Sequence, residues 1–465
     1  MLNIKTSIML FFIIIVLLFP ATIIAQDFTG SWAVRYADSI IQRWPRMSNL
    51  ENTWCYEAGI VLQGMQQVYR LTKDPRYFNY IKDYIDSHVG SNGSVSYTSS
   101  TLDDYLPARQ LLFLFEQTGD EIYLTAAERF RNTLENVNRN SFGGFWHKDR
   151  YPNQMWCDGQ YMAIPFLIHY GYVQNNFTYP AEETYKQMTL LINRAQALNG
   201  LLYHGWDASL EAAWADSESG LSPEFWGRGL GWFSMALVDI LDYFPDTDSR
   251  YYDILASLQL LVPGLANVQD NATGLWYQVL DKGDLSSNWL ESSCSAMFVY
   301  SIHKAARLGY VDRSYLQVAE DGFNGLIEHK ITINGGGYIE LHDIVRGMGI
   351  QTSYSGYVNQ SRLTNSHHGL GAFLLAATEV LLEGSDPPTT PVPSPPPPTE
   401  VGDANGDGSI NIIDALITAQ YYVGIPGIQI NLTAADVNCD GVVNIIDALL
   451  IAQYYVALIT HFTGC

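Results

Sequence analysis

Between residues 26 and 384, apolar positions recur at the three-and-four spacing of helices. Gly-, Asn- and Pro-rich stretches break the pattern into about twelve segments. Helices are predicted to start near Trp32, Tyr56, Pro75, Tyr105, Glu121, Gly159, Ala181, Glu224, Ser249, Leu290, Ser314 and His368. Almost no stretch alternates cleanly as a strand would, and no Gly-rich fingerprint follows one. Twelve helices in a body of about 360 residues point to an all-α fold of helix pairs closed into a ring. An (α/α)6 barrel is the natural closure, because a ring buries an apolar face on every helix and leaves no open end. The loops then gather at the rims, and one rim forms a cup.

The pattern changes at both ends. Lys5 precedes the apolar run Ile8 to Leu18 and a small-residue stretch closing at Ala25, so residues 1–25 read as a secretory signal peptide. The run is short for a spanning helix, and no other segment is apolar enough to cross a bilayer. Residues 385–399 hold the run PPTTPVPSPPPP, a stiff extended spacer. The tail, residues 400–465, has seven acidic residues and no Lys or Arg. Asp403, Asn405, Asp407, Ser409, Asn411 and Asp414 fall at positions 1, 3, 5, 7, 9 and 12 of a calcium loop, with Gly408 at position 6. The pattern returns 33 residues later as Asp436, Asn438, Asp440, Val442, Asn444 and Asp447, with Gly441 at position 6. Position 7 ligates through its carbonyl, so Ser and Val serve alike. Segments 410–423 and 443–456 are identical at eleven of fourteen positions. Acidic turns on a solvated surface would not repeat so closely.

A spacer followed by two such half-EF-hand repeats resembles a dockerin domain. That resemblance implies two bound Ca²⁺ and, as partner, a cohesin on a scaffoldin or cell-surface protein. It also gives the partner-selecting loop positions 10 and 11 to Ile412, Ile413, Ile445 and Ile446. Tyr421, Tyr422, Tyr454 and Tyr455 follow on the helices as either contact or core.

Net charge is −23, from 25 Lys+Arg against 48 Asp+Glu. A chain this acidic is a poor partner for nucleic acid or an anionic membrane, since it has little with which to neutralise phosphates. With 47 % apolar residues the chain is not disordered. Eleven Trp and 30 Tyr suit flat, weakly polar ligands such as sugars. Five cysteines (Cys55, Cys157, Cys294, Cys439 and Cys465) are too scattered for a disulfide scaffold or a zinc site; Cys439 and Cys465 could pair.

Three clusters mix polar and aromatic residues where a core would want aliphatics: 143–162 (GGFWHKDRYPNQMWCDGQYM), 202–214 (LYHGWDASLEAAW) and 222–232 (SPEFWGRGLGW). Each sits at a loop-to-helix junction, hence on a rim. Asp158 stands at such a junction; the bland reading is a helix cap. Its aromatic neighbours predict a partly desolvated carboxyl that keeps a proton at neutral pH.

Together with WCYEAGIVLQGM, LDDYLPARQLL and WLESSCSAMFVY, these clusters resemble glycoside hydrolase family 105, the unsaturated rhamnogalacturonyl hydrolases, over about residues 31–383. The resemblance implies an (α/α)6 barrel that removes the 4,5-unsaturated galacturonyl residue left by pectin lyases. It gives Asp158 the acid/base role and Asp103 that of second carboxylate. Substrate contacts fall to Tyr56, His147, Trp156, His204, Arg228 and Trp232. The loop YSGYVNQSR departs from the family stretch and is a place where substrate choice can differ. The implied chemistry needs no cofactor: a protonated Asp158 gives its proton to C4, water adds at C5, and the hemiketal opens and expels the next sugar. Alternatives are an inverting glycosidase on saturated sugars with Asp103 and Asp158 as acid and base, a 4,5-unsaturated glucuronyl hydrolase, and a carbohydrate-binding module without turnover.

Overall fold

Ser31, Asp74 and Asp120 each stand one residue ahead of a helix and accept a main-chain N–H from its first turn, at 3.4, 2.9 and 3.1 Å. Lys73 and Gly119, both left-handed, close the helices that end before them. The computed structural model describes residues 28–97, 100–382, 401–405, 410–423, 430–456, 458–459 and 461–462. Its body holds twelve helices of twelve residues or more. They are α1 Trp32–Arg43, α2 Tyr56–Thr72, α3 Pro75–His88, α4 Tyr105–Thr118, α5 Glu121–Leu134 and α6 Cys157–Val173. The second half comprises α7 Thr178–Ala195, α8 Gly227–Leu241, α9 Arg250–Asn267, α10 Ser292–Arg307, α11 Tyr315–Lys330 and α12 His367–Glu379. Five start at the predicted residue and seven within three residues of it.

Burial separates the helices into two sets. Every residue of α8 is buried, whereas α3 buries Tyr77, Tyr80, Ile81, Tyr84 and Ile85, a single stripe. A helix apolar on all sides must be surrounded by protein. Accordingly α2, α4, α6, α8, α10 and α12 pack each on the next, and α12 packs back on α2. The odd-numbered helices lie outside, α3 against α2 and α4, for example, and α11 against α10. This is the (α/α)6 barrel. Inside the ring, Asp239 accepts from Arg109 at 2.8 Å, Lys304 at 2.9 Å and Tyr300 at 2.6 Å, tying α4, α8 and α10.

Strands are short. β1 Gln154–Trp156 pairs antiparallel with β2 Gly205–Asp207, which brings Trp156 opposite Gly205. β3 Ile331–Ile333 pairs with β4 Ile339–Leu341, and β5 Ile344–Val345 with β6 Arg362–Leu363, pinning the base of the loop between them. No helix among the described residues is long and apolar enough to cross a membrane.

In the tail, α13 Ile412–Tyr422 and α14 Ile445–Tyr455 pack together over Ala415, Val437 and Ile451. Asn411 and Asn444 cap them in reciprocal boxes with Asp414 and Asp447. Ile412, Ile413, Ile445 and Ile446 are about half exposed. Tyr422 and Tyr455 face solvent while Tyr421 and Tyr454 are half-buried, so each repeat splits its tyrosine pair. Asp403, Asp414, Asp436 and Asp447 are buried carboxylates in a segment without Lys or Arg, a donor set that suits a hard cation. Among the described residues no three His, Cys, Asp or Glu side chains converge. Cys439 is in a disulfide, and Cys55, Cys157 and Cys294 are free thiols. The segment expected to be a signal peptide, the expected spacer, Asp407, Ser409 and Cys465 lie outside the described residues.

Candidate active site

The inner helices deliver their first turns to one place. Tyr56 opens α2, and Asp103 lies in the 3-10 turn Leu102–Asp104 that leads into α4. Asp158, Arg228, Ser293 and His368 are each the second residue of α6, α8, α10 and α12. Tyr56 Oη is 2.9 Å from His368 Nε2, and Arg228 Nη1 is 3.5 Å from Ser293 Oγ. Helix N-termini so gathered expose N–H groups and positive dipole ends, which favour an anion.

From Gln154 to Tyr170, Asp158 is the one residue that is not buried. It caps nothing: Trp156 holds the N-cap position of α6 and no side chain closes it. The Asp158 side chain is 13 % exposed, and its Oδ2 lies 3.2 Å from His204 Nε2. Burial alone pushes the carboxyl up, but the His204 hydrogen bond and the fields of His204, His147 and Arg228 bring it below its ordinary value. Both histidines are themselves driven neutral by burial, so the bond and the guanidinium are the lasting contributions. This corrects the expectation of a protonated Asp158: the aromatics do desolvate it, yet an imidazole donor and a buried cation outweigh them. The Asp103 carboxyl, by contrast, is raised above its usual range, through burial against the pull of Lys148 and with the push of Asp158.

Thr101 caps the Asp103 turn by accepting its N–H at 3.1 Å, so Asp103 is free of that duty. It pairs with Lys148, and its Oδ1 is 3.6 Å from His147 Nε2. His147 is stacked on Trp156, centroids 4.4 Å apart, and its Nδ1 is buried with no hydrogen-bond partner among the described residues. Burial, then Lys148, lowers this imidazole to about 3.

Arg228 is 1 % exposed. Its guanidinium donates to the carbonyls of Val345 and Arg346 and lies over the Trp226 ring at 5.1 Å. Glu224 and Asp239, the carboxylates nearest in sequence, are engaged by Lys282, Arg109 and Lys304 instead. A buried cation whose partners are carbonyls and a serine hydroxyl, with no ion pair among the described residues, suits a ligand carboxylate.

Trp156 stacks between His147 and Tyr151, the latter at 4.8 Å. Trp232 is 1 % exposed and stacked on Tyr161 at 5.3 Å, with the edge of Tyr56 at 6.4 Å. It therefore backs the cup behind Tyr56, which is the half-buried aromatic of the pair. His204 is fully buried with both ring nitrogens engaged, Nε2 by Asp158 and Nδ1 by Tyr357 Oη at 2.9 Å. It stands behind Asp158 and leaves no free nitrogen for a sugar.

The eight predicted body residues gather around one place, but His204 and Trp232, expected to contact substrate, stand behind its wall, buried and engaged by other side chains. The sequence reading missed Lys148, although it is the last letter of the FWHK motif. It also missed Glu57, whose carboxyl is raised by burial and by Asp103. His368 and Tyr357 were likewise passed over, the first because it reads as a helix start and the second because its loop carries no recognisable pattern. The β5–β6 loop covers one side: a side chain at Gly349 would meet the Trp156 ring at 3.1 Å.

A sequence profile of glycosyl hydrolase family 88 matches residues 25–382, and a dockerin type I profile matches residues 401–455. The chain is 28 % identical over 307 residues to a Bacillus subtilis protein named unsaturated rhamnogalacturonyl hydrolase YesR, covering 61 % of this chain and 81 % of that one. It is 32 % identical over 234 residues to Protein Atu3128 of Agrobacterium fabrum, 48 % of this chain and 99 % of that one. The structure of a C. acetobutylicum glycoside hydrolase from family 105 superposes with TM-score 0.72 at 34 % identity, covering 76 % and 99 % of the two chains. An unsaturated glucuronyl hydrolase from Bacillus sp. GL1, 14 % identical with TM-score 0.58 over 76 % and 95 %, shares the fold.

Proposed function

Since the chain belongs to glycosyl hydrolase family 88 and ends in a dockerin type I domain, we propose that it removes the 4,5-unsaturated galacturonyl residue from the non-reducing end of rhamnogalacturonan oligosaccharides by hydrating the C4=C5 bond. The observation that carries this is the nearness of Asp158, the one accessible residue in a buried stretch, to Arg228, a buried cation that forms no ion pair among the described residues. Arg228 takes the uronate carboxylate as a planar fork. Tyr56 and Trp156 wall the ring, and Lys148 faces its polar edge.

Asp158 is a carboxylate in the free site, so its proton is acquired with the substrate. A uronate on Arg228 cancels the guanidinium's pull, adds a negative charge and excludes water, and all three raise the Asp158 carboxyl. The proton then passes to C4 and cationic character develops at C5. Asp158 next takes a proton from the water that adds there. The C5 hemiketal opens to a ketone, and the hemiacetal left at C1 releases the remaining sugar. Asp103, held by Lys148, orients the sugar hydroxyls or the water.

Pectin-derived rather than glucuronyl substrate is favoured by the likeness to YesR and to the family 105 structure. The tail carries two Ca²⁺ and a cohesin-binding face, with residues 1–25 directing export. The test is to incubate the protein with lyase-treated rhamnogalacturonan and with lyase-treated glucuronyl polymers, following the ultraviolet absorbance of the double bond. Loss of absorbance on the first supports the reading. Loss only on the second makes it a glucuronyl hydrolase, saturated products with the chromophore intact make it an ordinary glycosidase, and binding without either makes it a carbohydrate-binding module.

A further inference from the structure

Tyr357 belongs to the β5–β6 loop, in the short helix Tyr354–Val358. Its ring is fully buried, packed 6.3 Å from Trp226 and 5.8 Å from His204. Its carbonyl is held by Gln278 Nε2 at 3.0 Å, so the loop is fixed without help from the hydroxyl. That hydroxyl lies 2.9 Å from His204 Nδ1. A hydroxyl has one proton. The Asp158 carboxylate can only accept, so it takes the N–H of His204 Nε2, and the hydroxyl proton goes to the acceptor left in reach, His204 Nδ1. A neutral imidazole also has one N–H, and here it is left on Nε2, 3.2 Å from Asp158 Oδ2.

We propose that Tyr357 is a positioning residue for the hydration reaction: by donating to His204 Nδ1 it fixes the tautomer whose Nε2–H ties down Asp158 Oδ2 and leaves Oδ1 to exchange the proton. The assignment rests on the reading of Asp158 as the acid/base group. It gives a task to a loop that carries no family motif. The loop that covers the cup thereby also sets the protonation of its acid.

Tyr357→Phe keeps the ring packing and removes only the hydroxyl. Two measurements follow. The ¹⁵N ring shifts of His204, assigned by difference with His204→Gln, report the tautomer in the free protein; Nε2–H is expected, and a proton on Nδ1 overturns the proposal whatever the substrate proves to be. In turnover of the unsaturated uronide, Tyr357→Phe is expected to lower kcat about tenfold or more, the effect of freeing an orienting imidazole, with KM within about twofold. Because the carboxylate loses its fixed donor, its pKa rises, and the alkaline limb of kcat/KM, where Asp158 loses the proton that C4 needs, moves to higher pH. An unchanged pH profile and kcat in a folded variant overturns the proposal, since a purely structural tyrosine would change the folded fraction and leave the profile in place. The tautomer is read without substrate, so its outcome is separate from that of the activity assay.

Discussion

Asp158 illustrates how little of a carboxyl's protonation is decided by its nearest neighbours in sequence. Trp156 and Tyr161 desolvate it as their positions promise, but His204 and Arg228, which arrive from 46 and 70 residues downstream, decide the direction. Asp158→Asn is expected to abolish turnover while unsaturated oligosaccharide still binds, because the amide keeps the shape and cannot cycle a proton; calorimetric titration alongside the absorbance assay checks both halves. Asn at this position with more than a per cent or so of wild-type kcat would move the acid/base role elsewhere, Asp103 being next in line. His147 supports a second test. The native imidazole takes its proton only near about 3, against 6.5 for an unperturbed one. Between those values the unfolded chain binds more protons, so stability falls as pH drops through that window. His147→Gln is expected to flatten this part of the stability curve, measured by denaturant melts from pH 7 to pH 4. Motif residues were thus legible one by one, while their charges were not, since each charge depends on partners that only the closed ring brings near.

Helices read well from the chain because their two classes bury differently. The single stripe of α3 is plain in sequence, and the all-round apolar α8 is plain as something enclosed. Starts were sharp where a cap announces them, as at Ser31, Asp74 and Asp120, and drifted by two or three residues where Trp156, Phe177 or Trp226 precedes a helix without a side-chain cap. Tertiary packing sets those ends, and no local signal reports it. Closure of the ring is a stronger test of the architecture. At the seam between the last and first inner helices, a Cβ on Gly371 would meet the Ile60 carbonyl oxygen at 2.3 Å. Backbone cannot yield as a side-chain tip does, so Gly371→Ala is expected to cost about 1–3 kcal/mol, seen as a lower midpoint in urea. A neutral or stabilising result would mean that α2 and α12 do not close the ring as described.

Body and tail divide the work, and the division shows in their charges. Among the described residues, the hydrogen bonds that assemble the cup join residues between 56 and 368. The tail concentrates buried carboxylates in a stretch without a single Lys or Arg, so the balancing charge has to come from solution, and its small core of Ala415, Val437 and Ile451 is too slight to hold two helices against that repulsion. Both facts were legible in sequence, since loop spacing and composition are local; what was not legible is how far the two units are independent. Independence makes a quantitative prediction. Removing calcium with EGTA is expected to unfold the tail, abolish capture by a cohesin surface and speed proteolysis after residue 400, while kcat on unsaturated oligosaccharide stays within about 20 % of its starting value. A chain ended at residue 384 is expected to show the same kcat with or without chelator. The comparison of the two chains is what gives the test its edge: loss of turnover on chelation in the full chain alone would show the unfolded tail obstructing the cup, whereas loss in both would place a cation in the catalytic body and overturn a hydration mechanism run by Asp158 and its neighbours alone.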